Sequence, residues 1–344
     1  PACTWKLAGR LHHNSRARRR GLRYPEARMS TSLPLVLLAG RDRKGAPLPE
    51  AGRDQHPLHG YKAVELEIAG RPLIERLLET LRDSGAFGPI FVAGPARVYA
   101  ALRGVELIDT DRDFGDNIRA AIEGVRRRGL VGQVAFMTSD VLPDPGELRA
   151  ALDDLERHQP CDFWTVECRV RDAGALGASG WKPKYLIRPE GEAEPVATLP
   201  GHLLVADPRI ARLDVLYRAF ELAYRTRNRP TRYRRRVVVS GLLGALLAAD
   251  LKRLVTLRRP GVTFDMLWNG LALVRKLVTT GCGQREMEDR LRRIWVHADH
   301  RRRHPERRGR VMVHDGLTLG RDVDTEEEAR ELSRQFEESR AAST

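Results

Sequence analysis

A run of five apolar residues, Leu35-Val36-Leu37-Leu38-Ala39, stops at Gly40. A run this short with no polar position has no face to offer water. It reads as a strand covered on both sides, the situation of a parallel sheet with helices on each face. The rest of the first half keeps that rhythm. Pro72 sits where a helix would begin, and Leu73, Ile74, Leu77, Leu78 and Leu81 mark one helical face. Ile90-Phe91-Val92 follows as a strand, 95–103 as a helix and Val105–Ile108 as a strand. A helix over 117–128 leads to the strand Val134–Met137, and a further helix covers 146–158. Strands alternating with helices at this spacing predict an α/β fold with right-handed crossovers.

The second half reads differently. Phe163–Val166, Lys184–Ile187 and His202–Val205 are expected strands, whereas 208–300 is mostly helical. Within that helical stretch, residues 225–236 hold seven arginines in twelve positions. Val311–Val313 is a late strand, and a charged helix starts at Glu326.

Charge enters the argument through its location. The chain of 344 residues carries a net +14, and +7 of it comes from residues 1–28, where eight Lys and Arg oppose Glu26 alone. The remainder is unremarkable for its size, so basicity is a weak case for nucleic acid and no specific nucleic-acid binding is expected. Residues 1–28 show no sustained apolar period and no apolar stretch of the secretory kind. They are expected to be a basic extension, upstream sequence read through ahead of Met29 rather than an anion-binding arm. No apolar run approaches the ~18 residues of a membrane span. Cys3, Cys161, Cys168 and Cys282 form no C-x-x-C pair, which fits a reducing cytoplasm.

Two positions stand out for chemistry. Gly40 closes a buried strand, and in a parallel sheet ligands bind beyond the carboxyl ends of strands, where glycine lets the backbone approach closely. The loop after it holds Arg41, Arg43, Lys44 and Gly45, and Lys62 precedes the next element. Backbone N–H groups and cations together are what a triphosphate requires. Asp140 ends the strand Val134–Met137 as a carboxylate, and Pro143 and Pro145 delay the next helix, so it is free to help hold Mg²⁺. Asp322 and Asp324, after the late strand, are candidates for the second carboxylate.

These residues together resemble the sugar-nucleotide and cofactor nucleotidyltransferases of GT-A-like fold, including molybdenum-cofactor guanylyltransferase-like proteins. The resemblance rests on Leu38-Ala39-Gly40, on Lys62 some twenty residues later, and on Ala69-Gly70-Arg71-Pro72-Leu73-Ile74-Glu75 leading a helix. Thr138–Pro143 resembles the family's metal-binding strand end, and Gly320–Glu327 its closing segment. Thr198-Leu199-Pro200-Gly201-His202-Leu203 resembles the turn lining the acceptor pocket, and Gly115-Asp116-Asn117 falls where the family contacts the base. The match covers about 33–206 and 310–335.

The resemblance implies a Rossmann-like, mostly parallel sheet flanked by helices, with a helical insertion before the final strand. It implies a nucleotide-binding core over 29–206, an Arg-rich helical insertion over 207–305, and a returning strand and helix over 306–344. The implied activity is Mg²⁺-dependent transfer of an NMP from an NTP to a phosphorylated small-molecule or lipid-linked acceptor, with release of pyrophosphate. Leu38, Ala39, Gly40, Arg41, Arg43, Lys62, Gly115 and Asn117 would bind nucleotide, and Thr198 and Gly201 acceptor. Lys62 and Asp140 would serve catalysis, with Asp140, Asp324 and Asp322 at the metal. Arg41 stands where the family has a second glycine, and the 208–305 segment is absent from minimal members. A GT-A glycosyltransferase and a non-catalytic nucleotide-binding protein are the alternatives.

Other patterns read more plainly. His297, His300 and His304 share a helical face, but the arginines among them oppose a cation, and a solvated basic surface is expected. Asp109-x-Asp111-x-Asp113 lacks the later EF-hand positions. Arg232–Arg236 followed by the apolar stretch 237–247 reads either as a buried helix with a solvated neighbour or as a contact with an anionic membrane surface.

Overall fold

The computed structural model describes residues 32–41, 60–112, 114–172, 174, 176, 184–226, 231–256 and 261–342. The buried run at the start forms β1 (Leu33–Leu38), flanked in parallel by β4 (Phe87–Gly94) and β6 (Val134–Thr138), with β5 (Glu106–Asp109) beyond β4. Leu35, Val36 and Leu37 are fully buried, as the absence of a polar face requires.

Between these strands, α1 (Lys62–Glu65) precedes a small hairpin of β2 (Glu67–Ile68) and β3 (Arg71–Pro72). Its two-residue turn, Ala69-Gly70, has both residues at positive φ, the geometry that matches strand twist in tight hairpins. Pro72 then opens α2 (Leu73–Asp83), whose Leu73, Ile74, Leu77, Leu78 and Leu81 are buried as the spacing predicts. The expected helix over 95–103 is a single turn, α3 (Ala96–Tyr99). After it come α4 (Phe114–Arg127) and α5 (Pro145–Arg157). Asp144 caps α5 by accepting from Gly146 N and Glu147 N.

The sheet turns antiparallel beyond β6. The long β9 (Val196–Ala206) pairs with β6, with β7 (Cys161–Arg169) and with β8 (Tyr185–Arg188). Among the described residues, five helices lie between β9 and the late strand: α6 (Leu213–Arg225), α7 (Thr231–Val255), α8 (Val262–Val278), α9 (Gln284–Trp295) and α10 (Ala298–Arg303). The short β10 (Cys282–Gly283) adds to β8. β11 (Arg308–His314) returns parallel to β7, and α11 (Glu326–Ala342) follows. The result is a Rossmann-like α/β arrangement, a mixed sheet of mostly parallel strands flanked by helices.

Core packing follows the two faces. One face of the parallel strands packs against α2 and α5 through Leu77, Leu81, Leu148 and Leu155. The other packs against α4 through Ala121, Ile122 and Val125. Alternation along β1 divides its side chains accordingly: Leu35 and Leu37 face α2, and Val36 faces α4. A separate apolar cluster joins α6, α7 and α8. No helix among the described residues is long and apolar enough to cross a membrane.

Candidate active site

Three segments distant in sequence meet at the carboxyl ends of β1 and β6. The turn after β6 carries Asp140. The segment after β11 comes alongside it, with a bridge between Val141 and Asp322 and a hydrogen bond from Val323 N to Asp140 O at 2.7 Å. Lys62 enters from α1. Each segment is held by identifiable bonds. Thr318 Oγ1 donates to Glu147 Oε2 at 2.7 Å and accepts from Asp144 N, fixing the returning segment to the start of α5. His202 N donates to Leu319 O at 2.7 Å, fixing it to β9. At the start of α11, Thr325 Oγ1 accepts from Glu328 N, and Glu328 Oε2 accepts from Thr325 N and Asp324 N. This reciprocal cap sets the backbone at Asp324 itself.

The outcome is a cluster of carboxylates. One oxygen from each of Asp140, Asp322 and Asp324 lies within 4.8 Å of the others. Three carboxylates that close repel one another unless cations sit among them. One cation is part of the protein: Lys62 Nζ donates to Asp324 Oδ1 at 2.7 Å, with both side chains largely buried. Asp140 Oδ1 is buried and has no hydrogen-bond partner among the described residues. A buried carboxylate oxygen without a donor is costly, and an oxygen-only donor set of this kind suits a hard divalent cation such as Mg²⁺. The residues therefore fit the metal that the resemblance implies.

Around this cluster the other expected residues divide. Leu38 and Thr138 lie side by side in register at the strand ends. Ala39 is buried and donates its N–H to Ala93 O, and Gly40 is exposed beyond it. A Cβ at Gly40 would stand 2.7 Å from Asn117 Nδ2. Asn117 is itself buried and engaged: its Oδ1 accepts from Thr110 Oγ1 and Arg112 N, and its Nδ2 donates to Arg112 O. It shapes the loop after β5 and packs against Gly40. Gly115 is explained by close packing, since a Cβ there would lie 2.9 Å from the Tyr217 carbonyl oxygen of α6. Arg43, with Lys44 and Gly45, lies outside the described residues, as does the 1–28 segment.

The two acceptor residues also part company. Thr198 is fully buried, and its hydroxyl donates to Glu167 Oε2 at 2.9 Å. Burial pushes the Glu167 carboxyl up to about 7, against an ordinary 4.5, and the Thr198 bond offsets only part of that. Gly201 sits where the β7–β9 register shifts, and a Cβ there would run into Val166. It also borders an apolar cavity of ≈ 240 Å³ between the sheet and α6, whose lining includes Leu38, Phe136, Thr138, His202 and Tyr217. Thr138 Oγ1 and His202 Nδ1 are hydrogen-bonded at 2.9 Å at one edge of it.

Three further residues near the site, Tyr61, Arg97 and Tyr99, had no signal in the sequence, and Asp111 had one only as part of the EF-hand-like spacing. Asp111 receives Arg97 Nη2 at 2.7 Å and lies 3.6 Å from Arg41 Nε, and Tyr61 Oη accepts from Arg97. Arg97, hydrogen-bonded to Asp111, holds that carboxyl below the ordinary range. Burial raises the Tyr99 hydroxyl, with Tyr61 and Asp140 adding to the effect, and that hydroxyl has no partner among the described residues. The discarded patterns stay apart. Asp109 Oδ1 accepts from Ala96 N, and Asp111 serves arginines. The histidine face is not the solvated surface expected: His300 is buried and its Nε2 bonds the buried Asp162, which also takes Arg292 and Arg307 and so neutralises the arginines there.

No protein-family model and no curated protein matches the chain. Among solved structures, a hypothetical transferase from Thermus thermophilus is similar at 20% identity and TM-score 0.47, over 87% of this chain and 100% of its own. CMP:2-keto-3-deoxy-manno-octonic acid synthetase complexed with CTP is similar at 12% identity and TM-score 0.46, over 90% and 100%. HddC from Yersinia pseudotuberculosis complexed with GMP-PN is similar at 14% identity and TM-score 0.36, over 52% and 77%.

Proposed function

We propose that the chain is a Mg²⁺-dependent nucleotidyltransferase that moves an NMP from an NTP to a phosphorylated acceptor and releases pyrophosphate. The observation that carries this reading is the meeting of Asp140, Asp322 and Asp324 within 4.8 Å, with Lys62 on Asp324. Asp140 and Asp324, with Asp322 beside them, would hold the ion. When bound, Mg²⁺ neutralises charge on the triphosphate oxygens.

The chain's own residues do the rest by position. The triphosphate lies over the exposed backbone at Gly40, and Asn117 holds the adjacent loop in shape. Lys62 is fixed by Asp324 at the mouth of the strand ends, where its ammonium balances phosphate charge. Arg41 and Arg97 add cations at the rim. An acceptor phosphate oxygen attacks the α-phosphorus, a new P–O bond forms, and the bond to the β-phosphate oxygen breaks as pyrophosphate departs. Such transfer depends on alignment and charge stabilisation more than on covalent help from the protein. The acceptor is expected beside Gly201 and His202. The helical segment over 207–305, an insertion on this reading, shapes that side and sets acceptor choice.

The test is thermal unfolding of the full chain with each NTP, with and without Mg²⁺. Ligand at 100 times its Kd adds about 2.7 kcal/mol, a shift of several degrees. A Mg²⁺-dependent shift with one NTP, lost in Asp140→Asn, supports the reading and names the base. A shift with nucleotide-sugars alone would replace it with glycosyl transfer. NTP binding without pyrophosphate release in the presence of any phosphorylated acceptor would leave a nucleotide-binding protein.

A further inference from the structure

α7 and α8 carry apolar side chains on two sides. Leu242 and Leu246 of α7, and Met266, Leu273 and Leu277 of α8, are buried. On the outer side, Leu243, Leu247, Leu251 and Leu254 follow one another at helical spacing along α7 and are exposed. The same holds for Phe264, Trp268, Leu271 and Val278 along α8, with Phe264 and Trp268 the most exposed at 68% and 63%. Their rings lie parallel, 6.2 Å apart. α7 packs on α8, so the stripes belong to neighbouring helices. Isolated exposed apolar residues are ordinary, but apolar stripes on two neighbouring helices, one of them carrying a Phe–Trp pair, mark a surface that meets something.

Charge identifies the partner. Residues 231–278 hold ten Lys and Arg against Asp250 and Asp265. Both acids are turned to internal work: Asp250 caps α8 through Gly261 N, Val262 N and Thr263 N, and Asp265 pairs with Arg212 and Arg301. Arg236 and Arg275 are exposed in line with the stripes, seven positions before Leu243 and seven after Trp268. Apolar stripes continued by cations, with the acids turned away, complement an interface in which hydrocarbon lies beneath anionic headgroups. A second copy would bring two such basic faces together, which charge repulsion opposes. Neither helix is fit to cross the bilayer.

We propose that the α7–α8 face rests on an anionic membrane surface, with Phe264 and Trp268 entering the headgroup region and Arg236 and Arg275 meeting lipid phosphates. The contact is peripheral and independent of the nucleotide reaction.

The experiment is cosedimentation of the full chain with vesicles of phosphatidylglycerol and phosphatidylcholine, and with phosphatidylcholine alone. Binding to the anionic vesicles is expected, at least tenfold weaker to the neutral ones. Phe264→Ser/Trp268→Ser is expected to lose at least tenfold while keeping the wild-type unfolding midpoint, and Arg236→Gln/Arg275→Gln to lose a smaller, salt-sensitive part. Wild-type protein that stays in solution with anionic vesicles would overturn the proposal, as would a serine variant that binds undiminished. A lipid-free dimer made monomeric by the serine variant would assign the face to a second copy instead.

Discussion

Lys62 Nζ and Asp324 Oδ1 stand 2.7 Å apart although 262 positions separate them in the chain. The pair closes the site, because it joins the entry of the fold to its last loop. Removing one partner of a buried pair leaves the other charge uncompensated, at a cost of about 3 kcal/mol. Lys62→Met should lose about that much in denaturant unfolding. The double variant Lys62→Met/Asp324→Asn should recover most of it. Additive losses would show that the two residues do not depend on each other.

Asp140 has the opposite relation to its neighbours. It adds a like charge to Asp322 and Asp324, and its buried oxygen has no donor among the described residues. In EDTA, Asp140→Asn should therefore be more stable than wild type, by on the order of 1 kcal/mol. Its unfolding midpoint should no longer respond to Mg²⁺, and its turnover should vanish. A midpoint lower than wild type in EDTA would mean that Asp140 has a stabilising partner.

Glu167 should give the protein a pH dependence of its own, apart from the carboxylate cluster. Its folded-state value of about 7 lies above the ordinary 4.5, so the folded chain holds a proton that the unfolded chain releases. Below about pH 4.5 both states are protonated and burial of the carboxyl carries no ionisation penalty. Between roughly 4.5 and 7 stability falls as pH rises, by up to about 3 kcal/mol. Glu167→Gln, which keeps an acceptor for Thr198, should remove that slope and stabilise the protein at pH 8. Unfolding curves from pH 4 to pH 8 will check it, and parallel curves for the two proteins would refute the assignment.

Two glycines are each close-packed, against different partners. A methyl at Gly40 meets Asn117 and a methyl at Gly115 meets the Tyr217 carbonyl. Gly40→Ala should displace Asn117 and weaken nucleotide affinity at least tenfold. Gly115→Ala should cost about 1–3 kcal/mol of stability with affinity little changed. Titration calorimetry beside thermal unfolding measures both, and an affinity loss confined to Gly115→Ala would reverse the roles.

The parallel half of the fold could be read directly from the chain, because Leu35–Ala39 and the stripe Leu73–Leu81 each admit one regular arrangement. The gathering of Asp140, Asp322, Asp324 and Lys62 could be named but not measured, since their spacing depends on where β11 returns. What a polar residue does with its hydrogen bonds was beyond reach. Asn117 and Thr198 fit binding motifs, and both spend those bonds on the protein. Arg97 and Tyr99 escaped notice because a one-turn helix leaves no periodic signature. In α7, neighbours such as Leu242 and Leu243 differ in burial while being identical in type, so sequence could not say which side faced outward.

The order in which the site's parts occur along the chain has a consequence for biosynthesis. Asp140 and Lys62 leave the ribosome long before residues 322–324, and the bridge between Val141 and Asp322 cannot form until then. A nascent chain can lay down the strands β1, β4 and β6 while still lacking two of the three carboxylates. The carboxylate cluster is therefore completed late in translation, in a single closing step, and unfinished chains lack two of its three members.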